Sequence, residues 1–265
     1  MFRTLFLKTI YDKRWFFVGW TIGAVALLVL TAAFYPVISE SVGDLLKSIP
    51  PALSNIVGDT SAYSTYKGYL GSAVFGIRAE MLFVPLAIIL GLSLSVNEEV
   101  SGRLYQLLAQ PLSRRRIVVE KWVAGLMIIV GIMAVIYGSL IVSTLAIDEP
   151  VPYGLLGKIA LMSGVFTATI FSLTFGIGMA IGRRGLAIII PVVWVMGSLL
   201  LDSFSSQVAW LKDVDWLSVH SYYNTSALVT GPIAASDLLV LGGVSFLVFM
   251  LAVIVFQGRD IREAE

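Results

Sequence analysis

The chain has 265 residues, 58% of them hydrophobic and only 13% charged, with a mean hydropathy of +0.91. That is far more apolar than a water-soluble domain, and a bilayer is its natural solvent. Its 18 Lys and Arg balance 17 Asp and Glu, so no net basic field points to nucleic acid, and the absence of cysteine excludes disulfides, thiolate metal sites and cysteine nucleophiles.

The first thirteen or so residues alternate Phe2, Leu5, Phe6 and Ile10 with Arg3, Lys8 and Lys13. This pattern predicts a helix over 1–14 lying in the membrane interface. The apolar run that follows is too long for a cleaved signal and lacks a small-residue cleavage site, so it is expected to stay as the first span. A span takes about 20 mainly apolar helical residues. Six segments approach this: Trp15 to Pro36, Ser72 to Val96, Trp122 to Ile147, Leu155 to Ile181, Leu186 to Leu201 and Leu238 to Phe256. The expected fold is therefore an all-α membrane protein of six spans, residues 1–265 forming one domain without repeats.

Between the spans, Val42, Leu45, Leu46 and Ile49 predict a short outer helix stopped by Pro50 and Pro51. Residues 202–237 form a second outer segment, rich in aromatics. In the fourth span, Gly176, Gly178 and Gly182 predict close helix approach. Pro85 and Pro191 are candidate kinks in the second and fifth spans. Arg78, near the outer end of the second span, is expected to snorkel outward.

Orientation follows from the basic residues, since cytosolic loops retain them. Thirteen of the 18 fall on one side: Arg3, Lys8, Lys13, Arg14, Arg103, Arg114, Arg115, Arg116, Lys121, Arg183, Arg184, Arg259 and Arg262. Both termini are thus expected in the cytosol.

The cytosolic segment 97–121 is longer than a tight connection needs. Leu104, Leu107 and Leu108 share one helical face after Gly102, Pro111 ends that helix, and Ser113 can cap the next. Arg114, Arg115 and Arg116 then fall in a first turn, where the helix dipole disfavours cations, so lipid phosphates or an acidic partner should compensate. The leucines either pack under the bundle or meet a partner. Glu98 and Glu99 either pair locally with Arg103 or offer carboxylates outward. The residue pattern leaves both choices open.

The stretch SGRLYQLLAQPLSRRR, led by the acidic pair and followed by Lys121, resembles permease subunits of the type-2 ABC exporter family, which carry a GTLELLLSLPVSRR type stretch there. Gly102, Leu104, Leu107, Leu108, Pro111, Ser113, Arg114 and Arg115 correspond, whereas Arg103, Tyr105 and Gln106 depart from the pattern. The six-span layout and WLSVHSYYNTSALVTG at 216–231 are also similar. The resemblance implies an exporter subunit in the plasma membrane whose cytosolic loop 97–121 forms a coupling helix, a role that falls on Gly102 through Arg116. Glu98, Glu99, Gly102, Arg103, Leu104, Leu107, Leu108, Pro111, Ser113 and Arg114 to Arg116 would be its ATPase-coupling residues. It implies two copies of a cytosolic ABC ATPase, a second permease subunit forming a homodimer, and an outer segment folding back into the membrane.

No GxxxxGK[ST] occurs, so ATP and Mg are expected on the partner chain, with no cofactor or metal here. His220, the only histidine, reads as an ordinary interfacial residue. The second and fifth spans are expected to line a path suited to an amphiphilic cargo. Two other classes compete with this reading. An intramembrane enzyme would need a polar catalytic cluster, and Arg78, Glu80 and Asp202 make no recognisable set. A channel or anchor subunit would need no ATPase.

Overall fold

The computed structural model describes residues 4–39, 65–150, 152–205, 209–223 and 225–260. All regular structure among the described residues is helical, and six helices are long and apolar enough to cross a membrane. The outer helix expected at Val42 to Ile49, the side chain of Arg78, and Arg262 lie outside the described residues.

Helix α1 (Leu5–Asp12) begins where the Thr4 hydroxyl accepts from the Leu7 amide, and α2 (Arg14–Ala33) follows directly as the first span. After α3 (Tyr66–Tyr69) and a π-helical turn (Leu70–Val74), α4 (Ile77–Leu94) forms the second. The apolar run from Ser72 reads as one uninterrupted helix, yet the chain breaks at Gly76. A Cβ there would collide with the Ser72 carbonyl oxygen, so only glycine accepts this bend. Apolarity continues across the break, which is why periodicity does not reveal it. The helix runs on through Pro85.

Helices α5 (Val96–Val100) and α6 (Arg103–Leu108) form the connection to α7 (Arg114–Ala146), the third span. With 33 residues, α7 is about 50 Å long and exceeds the apolar thickness of a bilayer, about 30 Å. It begins two turns before Trp122, on the arginine side. Helix α8 (Tyr153–Ile181) is the fourth span, α9 (Arg184–Ser205) the fifth, running through Pro191, and α13 (Ala235–Gly258) the sixth.

The bundle is organised around α8, which packs against α4, α7, α9 and α13. Lipid tails are as apolar as leucine, so close packing and hydrogen bonds must hold such helices together. Glycine supplies the first. A Cβ on Gly176 would stand 2.5 Å from Val248 of α13, one on Gly91 of α4 2.8 Å from Thr174, and one on Gly178 would strike Ser95. Hydroxyls supply the second. The Trp122 indole donates to Ser172 at 2.9 Å, and Ser172 shares a 2.7 Å bond with Ser245, linking α7, α8 and α13.

Residues 209–231 comprise α10 (Ala209–Lys212), a 3-10 turn (Asp215–Leu217), α11 (Val219–Tyr222) and α12 (Thr225–Thr230). They are held from several sides. The Trp194 indole donates to the Leu217 carbonyl at 2.9 Å, the Val219 amide to Ser198 at 3.0 Å, and the Lys158 ammonium to the Leu228 and Gly231 carbonyls. Ser163 donates to the Tyr223 hydroxyl at 2.8 Å, and Tyr223 in turn donates to the Phe75 carbonyl at 3.3 Å. Ser163 lies ten residues into α8, so the segment reaches about 15 Å along that helix. Tyr223→Phe strands both partners of a buried hydroxyl. It should cost about 1–2 kcal/mol, visible as a melting temperature lowered by a few degrees in detergent.

The two inner helices α4 and α8 are mostly buried, whereas α2, α9 and α13 are mostly exposed. Ile22, Leu30, Ile189, Val193, Leu247 and Ile254 stand among their exposed apolar side chains and require lipid or another chain as neighbour.

Candidate functional site

The arginine-rich end gathers α1, α5, α6, the start of α7, the end of α8 and the end of α13. Gly102 stands at φ +73°, the left-handed region that glycine adopts without penalty, and turns the chain sharply from α5 into α6. Pro111 follows α6, and the Ser113 hydroxyl accepts from the Arg116 amide at 3.3 Å to start α7. The leucine stripe faces inward. Leu104 and Leu107 are buried and Leu108 is half-buried, so they pack α6 onto the bundle.

Both acidic residues are tied within the chain, and neither meets Arg103. Glu98 pairs with the ammonium of Lys121 on α7, which is fully buried. Glu99 receives both guanidinium nitrogens of Arg259, at 2.6 and 3.0 Å, while Arg259 also donates to the Met179 carbonyl at 3.0 Å. One side chain thus joins α5, the end of α8 and the end of α13. The guanidinium lies against Gly182, at φ +70°, where a Cβ would overlap it.

The arginine triplet separates into three environments. Arg114 donates to the Arg259 carbonyl at 2.6 Å and reaches the last carbonyls of α13, so the negative end of that helix balances its charge. Arg116 pairs with Glu120, whose other oxygen accepts from the Phe6 amide at 2.8 Å and so binds the start of α1. Arg115 alone of the three is exposed without an ion pair among the described residues. The compensation expected from lipid or a partner comes, for Arg114 and Arg116, from the chain itself.

The expected coupling residues therefore divide. Glu98, Glu99, Leu104, Leu107, Leu108 and Arg114 hold the loop to the spans. Of the expected set, Arg103, Pro111, Ser113, Arg115 and Arg116 are exposed; beside them Val100, Ser101, Gln106, Ala109 and Gln110 are exposed too. Val100 is 67% exposed and is the one large apolar side chain of 97–121 left so open. Residue pattern passed over it because it lies outside the leucine stripe.

At the opposite end, His220 is more than an interfacial residue. Its Nε2 lies 2.7 Å from a carboxylate oxygen of Glu80 on α4, both side chains are largely buried, and its Nδ1 has no hydrogen-bond partner among the described residues. Phe166 presents its edge to the imidazole and stacks on Tyr223. Glu80 and His220 are 140 positions apart, so nothing in their local sequence pairs them.

Six apolar helices, four of them packed against α8, with a helical loop tied to three spans at the arginine-rich end, define a multi-pass membrane protein. The model of the family described as ABC-2 family transporter protein matches residues 8–261, and the chain belongs to that family. It is accordingly a transmembrane component of an ABC transporter, a transport subunit that works with an ATPase subunit and is not itself catalytic. No curated protein matches the chain.

Proposed function

We propose that this chain is the membrane-spanning subunit of an ABC exporter in the plasma membrane, with both termini cytosolic, and that α5 and α6 receive the ATPase. Two permease copies would form the substrate path, and two ATPase subunits would bind beneath, carrying ATP and Mg. The gathering of basic residues at one end supports the orientation. Exposed Ile189, Val193 and Leu200 on α9 support a path or copy-to-copy contact there for an amphiphilic cargo. The enclosure of α4, whose exposed apolar residues are chiefly Met81 and Ile89, leaves that helix a smaller share of such a path.

The observation that carries the reading is the contrast within 97–121. Its acids and leucines are committed inward, while Val100 stands open on the same short loop. A surface displacement of α5 or α6 would be carried to α7 through Glu98 and Lys121. Glu99 and Arg259 would carry it to α8 and α13. Two nucleotide states of the ATPase can shift the spans only by contacting this surface differently.

The test is native isolation of the tagged transporter. The ATPase subunit should copurify with the wild type and be lost, with transport, from Val100→Asp. Val100 is exposed but directly follows the paired Glu99, so the melting temperature of Val100→Asp is measured alongside and should stay within a few degrees of the wild type. An ATPase that never copurifies, or that stays with Val100→Asp while transport continues, would overturn the proposal.

A further inference from the structure

Between α1 and α6 lies a polar cavity of about 130 Å³, room for about four waters. Lys8, Lys13 and Arg103 line it, with Asp12 and Glu98. Glu98 is already committed to buried Lys121, so three cations face one remaining carboxylate. Neither the Lys8 ammonium nor the Arg103 guanidinium has an ion-pair or hydrogen-bond partner among the described residues. Lys13 makes a single long bond, 3.3 Å, to the Ser93 carbonyl. Burial lowers its pKa below the ordinary lysine value, Arg103 and Lys121 add to this, and Glu98 and Asp12 oppose it. An anion in the cavity would relieve both the burial and the repulsion.

The position of the cavity indicates which anion. Lys13 separates α1 from the first span, and Leu94 closes the second, so the cavity stands at the level where two spans leave the apolar layer. Alongside it α1 exposes Leu7 and Tyr11, and Trp15 follows at 72% exposure, the aromatic and apolar mixture of a membrane interface. Phosphates of the bilayer lie at this level. A choline headgroup would bring its own cation against Lys8 and Arg103, whereas an anionic headgroup would not.

We propose that this cavity binds the phosphate of an anionic phospholipid, which then bridges the interfacial helix α1 and the short helix α6. The assignment does not depend on ATPase docking.

The purified full-length chain in mild detergent would be titrated with phosphatidylglycerol and with phosphatidylcholine, binding being read by native mass spectrometry. The wild type should bind phosphatidylglycerol about tenfold more tightly. Lys8→Gln and Arg103→Gln should each weaken it about fivefold and together about twenty-five-fold, the worth of one and two cations at a lipid surface. Arg115→Gln, an exposed cation at the same end but outside the cavity, should leave binding unchanged, and all variants should elute and melt as the wild type. Equal affinity for the two lipids, or a double variant that binds like the wild type, overturns the proposal. Displacement of phosphatidylglycerol by millimolar inorganic phosphate overturns the lipid assignment in favour of the free anion. A double variant that keeps phosphatidylglycerol yet loses the ATPase subunit on native isolation shows an acidic partner side chain in the cavity, and likewise overturns it.

Discussion

Lys121→Met should destabilise the protein by about 3 kcal/mol and release the 97–112 segment to protease. The ammonium it removes is fully buried, and its partner Glu98 is only slightly exposed. Breaking one side of such a pair leaves a carboxylate in a poorly solvating site, which typically costs about 3–5 kcal/mol; the partial exposure of Glu98 places the expectation at the lower end. The double variant Glu98→Gln, Lys121→Met removes both charges and should recover most of the loss, because the penalty comes from the stranded charge and not from the lost attraction. Thermal unfolding of the four proteins of this double-mutant cycle measures the coupling. A single variant as stable as the wild type would mean that Glu98 and Lys121 are not paired in the membrane.

Arg259→Met should separate ATP hydrolysis from transport. In the wild type this guanidinium holds Glu99, the Met179 carbonyl and the groove over Gly182, and its own carbonyl holds Arg114. Without it, α5 loses its tie to α8 and α13, and Glu99 is left unpaired, at a cost of about 2–4 kcal/mol. Val100 and its neighbours remain in place, so the ATPase subunit should still copurify and hydrolyse ATP while transport falls at least about tenfold. Gly182→Ala attacks the same contact from the opposite side. It combines a backbone at φ +70° with a methyl group where the guanidinium lies, and should reproduce the uncoupling with Arg259 intact. Hydrolysis and transport falling together in both variants would argue against transmission through this residue.

Much of the fold is legible in the sequence. Six apolar stretches, the short helix after Gly102, the stop at Pro111 and the cap at Ser113 are local features, each set by side-chain chemistry within a few residues. The close approach at Gly176 and Gly178 was likewise readable. The break at Gly76 was not, since it depends on where the Ser72 carbonyl falls, and the early start of α7 was hidden by the charges that begin it. In the loop, the local pattern leaves packing and docking open for the leucines and acids, and only the fold shows which way they face. Leu104 and Leu107 face the bundle, Glu98 and Glu99 are neutralised inside it, and Arg114 closes the end of α13. The exposed Val100 is not legible in the sequence, because one apolar residue outside a stripe carries no periodic signal.

What the sequence by itself determined was that a chain of this apolarity must cross a membrane six times, with its basic residues gathered at one end. Both follow from transfer free energies that add along the chain and need no knowledge of packing. Only the tertiary structure decided which of the charges at that end are spent. Glu98 finds Lys121 across 23 positions and Glu99 finds Arg259 across 160, because helices α4 to α13 bring their ends together. A long charged side chain pairs with whatever the packing sets within its reach, and that distance is a property of the fold.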